Sequence, residues 1–279
     1  MARVSAFGIS PIPGYPMSMY QLERWAGGSH SKAAQWLARL ASADVYRKFY
    51  DFDDKALDAT NWWTVAAGAT ATTWAVAAGE NGILRGITGT TAATSGLILR
   101  TDLAHFTGVG NCGMELAGRV DVVTEVRVEI GFVNAVTSVN TNFTNNLSTP
   151  TVNTVADGAW HVYDHTGSTY TTELLTAGGA GTTPNKFVDA TQQLYVAATY
   201  SGGRPLAGST KVTRLQLLQT GSATVAAVAF ENGIFQAQSA ANSLDAAALV
   251  WAINVKASNT TSKTYDIDSL EMWADRAPQ

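Results

Sequence analysis

Three carboxylates near the C-terminal end have the types and spacing for bond-breaking chemistry. Asp266-Ile-Asp268-Ser-Leu-Glu271 could set two acids around one substrate bond. A pair of acids, one a nucleophile and the other a proton donor, is what glycoside hydrolysis requires. On a regular strand, alternation sends Asp266 and Asp268 to one face and Glu271 to the other. Only a bulge would re-aim Glu271. The expectation is a solvated strand face or turn.

Other candidates are weaker. Asp51, Asp53 and Asp54 form a second acidic group, and calcium takes several such oxygens. They lack a regular ligand spacing and read as strand-end and turn chemistry. His161, Asp164 and His165 suggest a triad or a metal set. No serine stands in a nucleophile-elbow context, so a strand ending in an Asp-His-Thr-Gly turn is the plainer account. His30 and His105 stand alone and read as structural. The single cysteine, Cys112, excludes an internal disulfide and a Cys-based zinc site. It reads as a small packed thiol. Gly178-Gly-Ala-Gly181 lacks the lysine and the strand–helix context of a phosphate loop. No catalytic residue, metal or cofactor is expected, and the chain does not read as an enzyme.

Alternation dominates the elements that would position these groups. Met114, Leu116, Val120 and Val122 alternate with Glu115, Arg119 and Asp121. Val126, Val128, Ile130 and Phe132 then alternate with Glu125, Arg127 and Glu129. A period of two with one apolar face marks a half-buried antiparallel strand. Two such runs joined by a few residues predict a hairpin whose charged outer face carries all six ionic side chains. Further strands are expected over 46–54, 57–68, 73–85 with a turn at Glu80-Asn-Gly82, and 95–101. Others are expected over 160–163, 170–175, 193–200, 211–218, 225–239 with a turn at Glu231-Asn-Gly233, 249–255 and 265–273. Asn134 to Gly158 reads as a surface excursion. Trp62, Trp63, Trp74, Trp160 and Trp251 read mainly as core. Many short strands with no second helical zone predict an all-β sandwich of two antiparallel sheets.

Residues 1–44 differ. Ile9 to Pro16 holds three prolines and reads as an extended arm. Ser29 to Ala41 predicts a helix with Ala33, Trp36, Leu37 and Leu40 on one face. Such an apolar leader must dock on its own domain or on a neighbouring subunit. The expected organisation is an arm and helix over 1–44 and a β-sandwich over 45–279.

Composition narrows the partners. Charged residues are 14% of the 279-residue chain, and the net charge is −4. Duplex nucleic acid needs a basic footprint, which is lacking. No apolar run has the length of a membrane span. The N-terminus does not read as a secretory signal, so synthesis in a cytoplasm is expected.

Four segments carry a family resemblance. Phe49-Tyr-Asp-Phe-Asp-Asp, Leu57-Asp-Ala-Thr-Asn-Trp-Trp and Asn81-Gly-Ile-Leu-Arg resemble the opening of concanavalin A-like (LamG-like) jelly-roll domains. Tyr265 to Trp273 resembles their closing strand, which pairs beside the first. With its Thr/Ala/Asn-rich body and leading arm, the chain resembles domains of tailed-bacteriophage structural proteins from about Val45 onward. Some glycanases of this fold carry Glu-x-Asp-x-x-Glu on one strand. Here the first position is Asp266, and the motif sits on the closing strand.

The resemblance implies a non-catalytic virion structural protein, a capsid-bound decoration or cement protein attached through its arm. Ile9, Ile12, Tyr15, Tyr20, Trp25, Trp36 and Leu40 would bury themselves in a neighbour. The implied partners are other virion proteins of capsid or tail and copies of itself, as a homotrimer or another closed ring. The alternative is a glycan-binding module of a tail or receptor-binding protein, followed by a glycanase.

Overall fold

The computed structural model of the chain describes residues 45–52, 57–58, 63–69, 71–77, 82–91, 96–101, 106–107, 111–134, 142–144, 157–165, 171–177, 185–189, 200–201, 204–205, 210–219, 225–239 and 248–275. The expected arm and helix of 1–44 lie outside these residues, as does most of the expected strand 193–200.

Eighteen strands and no helix are found among the described residues. The first six are β1 (Val45–Tyr50), β2 (Trp63–Ala67), β3 (Thr72–Val76), β4 (Leu84–Ile87), β5 (Leu97–Thr101) and β6 (Phe106–Thr107). Next come β7 (Cys112–Val120), β8 (Val126–Val133), β9 (Gly158–Asp164), β10 (Thr171–Ala177), β11 (Asn185–Asp189) and β12 (Tyr200–Ser201). The last are β13 (Arg204–Pro205), β14 (Lys211–Gln219), β15 (Val225–Glu231), β16 (Ile234–Gln238), β17 (Ala248–Ala257) and β18 (Thr264–Asp275).

Sixteen of them form two eight-stranded sheets, and β12 and β13 pair as a separate two-stranded sheet. Sheet A runs β16-β15-β14-β7-β18-β4-β3, with β1 also paired to β18. Sheet B runs β11-β10-β9-β8-β17-β5-β2, with β6 also paired to β17. All the pairings within them are antiparallel. The closing strand lies beside the first, with Val45 opposite Asp275, as the resemblance implied.

The expected central hairpin does not form. β7 pairs with β14 and β18 in sheet A, whereas β8 pairs with β9 and β17 in sheet B. The five residues 121–125 form an arch between the sheets. The apolar sides of both strands therefore meet in one core: Met114, Leu116 and Val120 from β7, and Val128, Ile130 and Phe132 from β8. Their charged sides end on opposite outer faces, so the six ionic groups share no surface. Period two identifies a half-buried strand but does not say whether the next strand lies beside it or across from it.

Backbone and side-chain bonds clamp the arch. Glu125, at φ 57°, donates its amide to the His165 carbonyl at 2.6 Å. Tyr163 Oη donates to the Val123 carbonyl at 3.2 Å. The Asp121 carboxylate accepts the Val122 and Thr264 amides at 2.8 and 2.7 Å.

Both predicted Asn-Gly turns sit between paired strands: β3 with β4, and β15 with β16. Gly82, Asn232 and Gly233 have positive φ, the conformation that tight turns demand. Trp63, Trp74 and Trp251 lie in the main core together with Cys112. Trp160 instead joins a second apolar cluster on the outer face of sheet B, with Phe143, Val162, Leu175 and Val250. Phe143 belongs to the stretch read as a surface excursion, yet it is fully buried.

On sheet A's outer face, Trp273 lies over Gly113. A Cβ there would sit 2.2 Å from Trp273 Cζ2. Gly113→Ala is therefore expected to displace the indole and cost about 1–3 kcal/mol, measured by urea unfolding. An unchanged midpoint would show that the indole does not need this close approach.

Candidate functional site

The acidic motif lies on β18, and the bulge that would be needed is present. The β18–β7 register shifts between Ile267 and Ser269, which leaves Asp268 as the extra residue. Tyr265 and Ile267 face the core before the bulge; Leu270, Met272 and Ala274 face it afterwards. Asp266 and Glu271 consequently share the outer face of sheet A.

Sharing a face does not make these two a catalytic pair. Asp266 is 0% exposed. Arg85 clasps it with two hydrogen bonds, Nε to Oδ1 at 2.8 Å and Nη2 to Oδ2 at 2.9 Å. Arg119 Nε adds a third, at 3.3 Å. Such a fork-on-carboxylate pair fixes its acid in place. Asp268 is half exposed, with its Oδ1 4.0 Å from Arg119 Nη1. Glu271 is buried and stands opposite Glu115 in the β18–β7 register. Cross-strand neighbours have Cβ atoms about 5 Å apart. The carboxylate nearest Glu271 in register therefore comes from β7, outside the motif.

The histidine set does not converge either. His161 points into the sandwich, whereas Asp164 lies on the outer side of sheet B. His165 Nδ1 meets the Val123 carbonyl at 2.9 Å, beside the arch. His161 is buried, with Nδ1 3.3 Å from Glu231 Oε1. Thr213 Oγ1 donates to the other oxygen of Glu231 at 3.1 Å. Burial lowers the His161 pKa to about 4, so the ring is neutral near pH 7 and the Glu231 contact is not an ion pair there. Of the acidic group around residue 51, Asp51 is exposed, while Asp53 and Asp54 lie outside the described residues. No group of three or more metal-ligating side chains converges among the described residues.

A third cluster, which the sequence reading missed, occupies sheet B's outer face. Lys256, Arg127 and Asp164 are register partners on β17, β8 and β9. Asn254 and Glu129 are partners in the adjoining row. The carboxylate of Glu129 accepts Arg127 Nη2 at 2.7 Å, the Phe143 amide at 2.6 Å and the Thr144 amide at 3.2 Å. Asn254 Nδ2 approaches it at 3.4 Å. Arg127 Nη1 reaches Asp164 at 3.0 Å, and Nη2 also donates to the Thr144 carbonyl at 2.8 Å. Burial works against the charge on Arg127, but Glu129 and Asp164 outweigh it and raise its pKa. Burial, and then the Arg127 charge, lower that of Lys256. Glu129 thus pins residues 143–144 to the sheet, and Arg127 holds Asp164 at the rim of the cluster. Only the alternation of Arg127 and Glu129 signalled this cluster, because its other members come from distant stretches.

The predicted interface residues Ile9, Ile12, Tyr15, Tyr20, Trp25, Trp36 and Leu40 lie outside the described residues.

Comparison with known proteins agrees with this architecture. No family model and no curated protein matches the sequence. The carbohydrate recognition domain of Emp47p superposes with a TM-score of 0.53 at 13% identity, over 85% of this chain and 97% of that one. Peanut lectin gives 0.45 at 9%, over 85% and 100%. A prokaryotic β-1,3-1,4-glucanase derived from a mouse hindgut metagenome gives 0.45 at 10%, over 82% and 98%. The chain has the concanavalin A-like jelly-roll sandwich.

Two stability measurements check the site. Asp266→Ala strands Arg85 and Arg119 and should cost about 3–5 kcal/mol in denaturant unfolding; a loss below about 1 kcal/mol would show that the clasp is not structural. For His161, the unfolded chain takes up a proton near pH 6.5 and the folded chain only near pH 4. Stability is therefore flat above pH 6.5 and falls by up to about 3 kcal/mol on acidification to pH 4. His161→Asn should remove that part of the pH slope between pH 6.5 and 4.

Proposed function

We propose that this protein is a non-catalytic glycan-binding sandwich, and that it takes sugar hydroxyls at the Asp164–Arg127–Lys256 row of sheet B. The burial of Asp266 in its arginine clasp carries the choice of binding over hydrolysis. A general acid must reach substrate, whereas this carboxylate is sealed from it and clasped by Arg85 and Arg119. The fold shared with the Emp47p carbohydrate recognition domain supports a glycan ligand.

The chemistry of the row supports it too. Asp164 accepts hydrogen bonds, and Lys256 donates them. The guanidinium between them is fixed by Glu129, so Asp164 is positioned before any ligand arrives. Preorganised polar groups lose little freedom on binding. Placement on a virion, as a decoration or tail protein, would be a setting for such a module and rests on residues 1–44.

A glycan array with full-length protein tests this reading. Binding to at least one glycan class is expected. Asp164→Ala should weaken it at least tenfold, while Asp268→Asn on the other sheet leaves it unchanged. Absence of binding across the array would sink the reading. So would polysaccharide cleavage abolished by Glu115→Gln or Glu271→Gln.

A further inference from the structure

Two basic side chains stand next to each other on sheet B's outer face. Lys256 of β17 is the register partner of Arg127 of β8. Cross-strand partners have Cβ atoms about 5 Å apart, and like charges placed so repel. Arg127 uses Nη1 on Asp164 and Nη2 on Glu129 and the Thr144 carbonyl. Its Nε is buried and has no hydrogen-bond partner among the described residues. In a planar guanidinium the Nε–H lies on the edge away from Nη1. It is therefore turned from Asp164 and β9, toward the other neighbour of β8, which is β17 with Lys256. Leaving such a buried donor unmet is unfavourable. An anionic oxygen beside Lys256 would resolve both features, because it offsets the like charges and accepts the remaining N–H.

We propose that the ligand of the Asp164–Arg127–Lys256 row is an acidic glycan. A carboxylate or sulfate of one sugar sits between Lys256 Nζ and Arg127 Nε, and hydroxyls of a neighbouring neutral sugar meet Asp164. This inference rests on the glycan-binding reading of that row and names its ligand class.

Electrostatics divides the roles. Glu129 and Asp164 already oppose the Arg127 charge and raise its pKa. The Lys256 ammonium therefore supplies the pull on an incoming anion, and Arg127 supplies direction. Burial, and then Arg127, lower the Lys256 pKa; an anion between the two acts the other way and holds the ammonium protonated. Lys256 and Asp164 stand two strand spacings apart, about 10 Å, which is wider than one sugar ring. Acid and hydroxyls then come from consecutive units. Asp164 repels a second acid, so a chain that alternates acidic and neutral sugars fits better than a uniformly acidic one. The protein's net charge of −4 gives no general attraction for polyanions, so a preference for acid has to arise locally.

A glycan array of matched pairs tests this on the full-length protein. Oligosaccharides with alternating uronate and neutral units are printed beside their carboxyl-reduced forms, and sulfated ones beside their desulfated forms. At least one acidic member should bind about tenfold tighter than its neutral counterpart. The pair that shows the difference tells carboxylate from sulfate. Lys256→Gln should bring that acidic member to within about twofold of the neutral one. Equal binding of both members, weakened by Asp164→Ala, would overturn this inference and leave the glycan reading standing. Absence of binding to any member would remove both. A preference for acid that persists in Lys256→Gln would put the anion elsewhere and overturn the assignment. A second measurement needs no variant: in protein carrying ¹⁵N-labelled arginine, the Arg127 Nε–H resonance should shift on addition of the acidic member and not of the neutral one. A resonance that does not respond to the acidic member would count against this seat for the anion.

Discussion

The fold depends on how two consecutive strands face one another. β7 and β8 each have one apolar side, and five residues join them. Laid side by side in one sheet, they would need another element to cover both. Arched across the interior, each covers the other, and both sheets grow outward from that contact. The bonds around Val123, Glu125 and Asp121 hold the arch in this form. Charged positions on the two strands then fall on opposite exteriors, which separates the arginine clasp of sheet A from the polar row of sheet B.

Each exterior is organised by a buried ion pair. On sheet A, Asp266 joins β18 to β4 and β7 through Arg85 and Arg119. On sheet B, Glu129 ties β8 to residues 143–144 and orients Arg127 toward Asp164. Removing one partner from such a group leaves an uncompensated charge, which is far more costly than the pair's net contribution. These acids therefore tie strands together, whatever their spacing in the chain suggests.

Strand positions were largely legible in the sequence, because alternation records which side of a strand is apolar. The Asn-Gly turns were legible for a similarly local reason. Partnership across the sandwich was not, since β7 and β8 would show the same period in either arrangement. The bulge at Asp268 left no mark in residue type, though it decides which acids share a face. Phe143 looked like part of a polar excursion because its cover, Trp160 and Val250, comes from later strands outside that stretch. The Asp164–Arg127–Lys256 row was hidden for the same reason: three strands contribute one member each.

The pairing of β1 with β18 also has a mechanical consequence. Val45 and Asp275 are opposite each other at one end of that antiparallel ladder. Its hydrogen bonds run perpendicular to the strands. Tension between segments attached at these two points would load the rungs one after another and peel the ladder open like a zipper. A tether that draws these two points apart would thus meet low resistance there, while a load shared across β7, β14 and β18 would have to shear many rungs together.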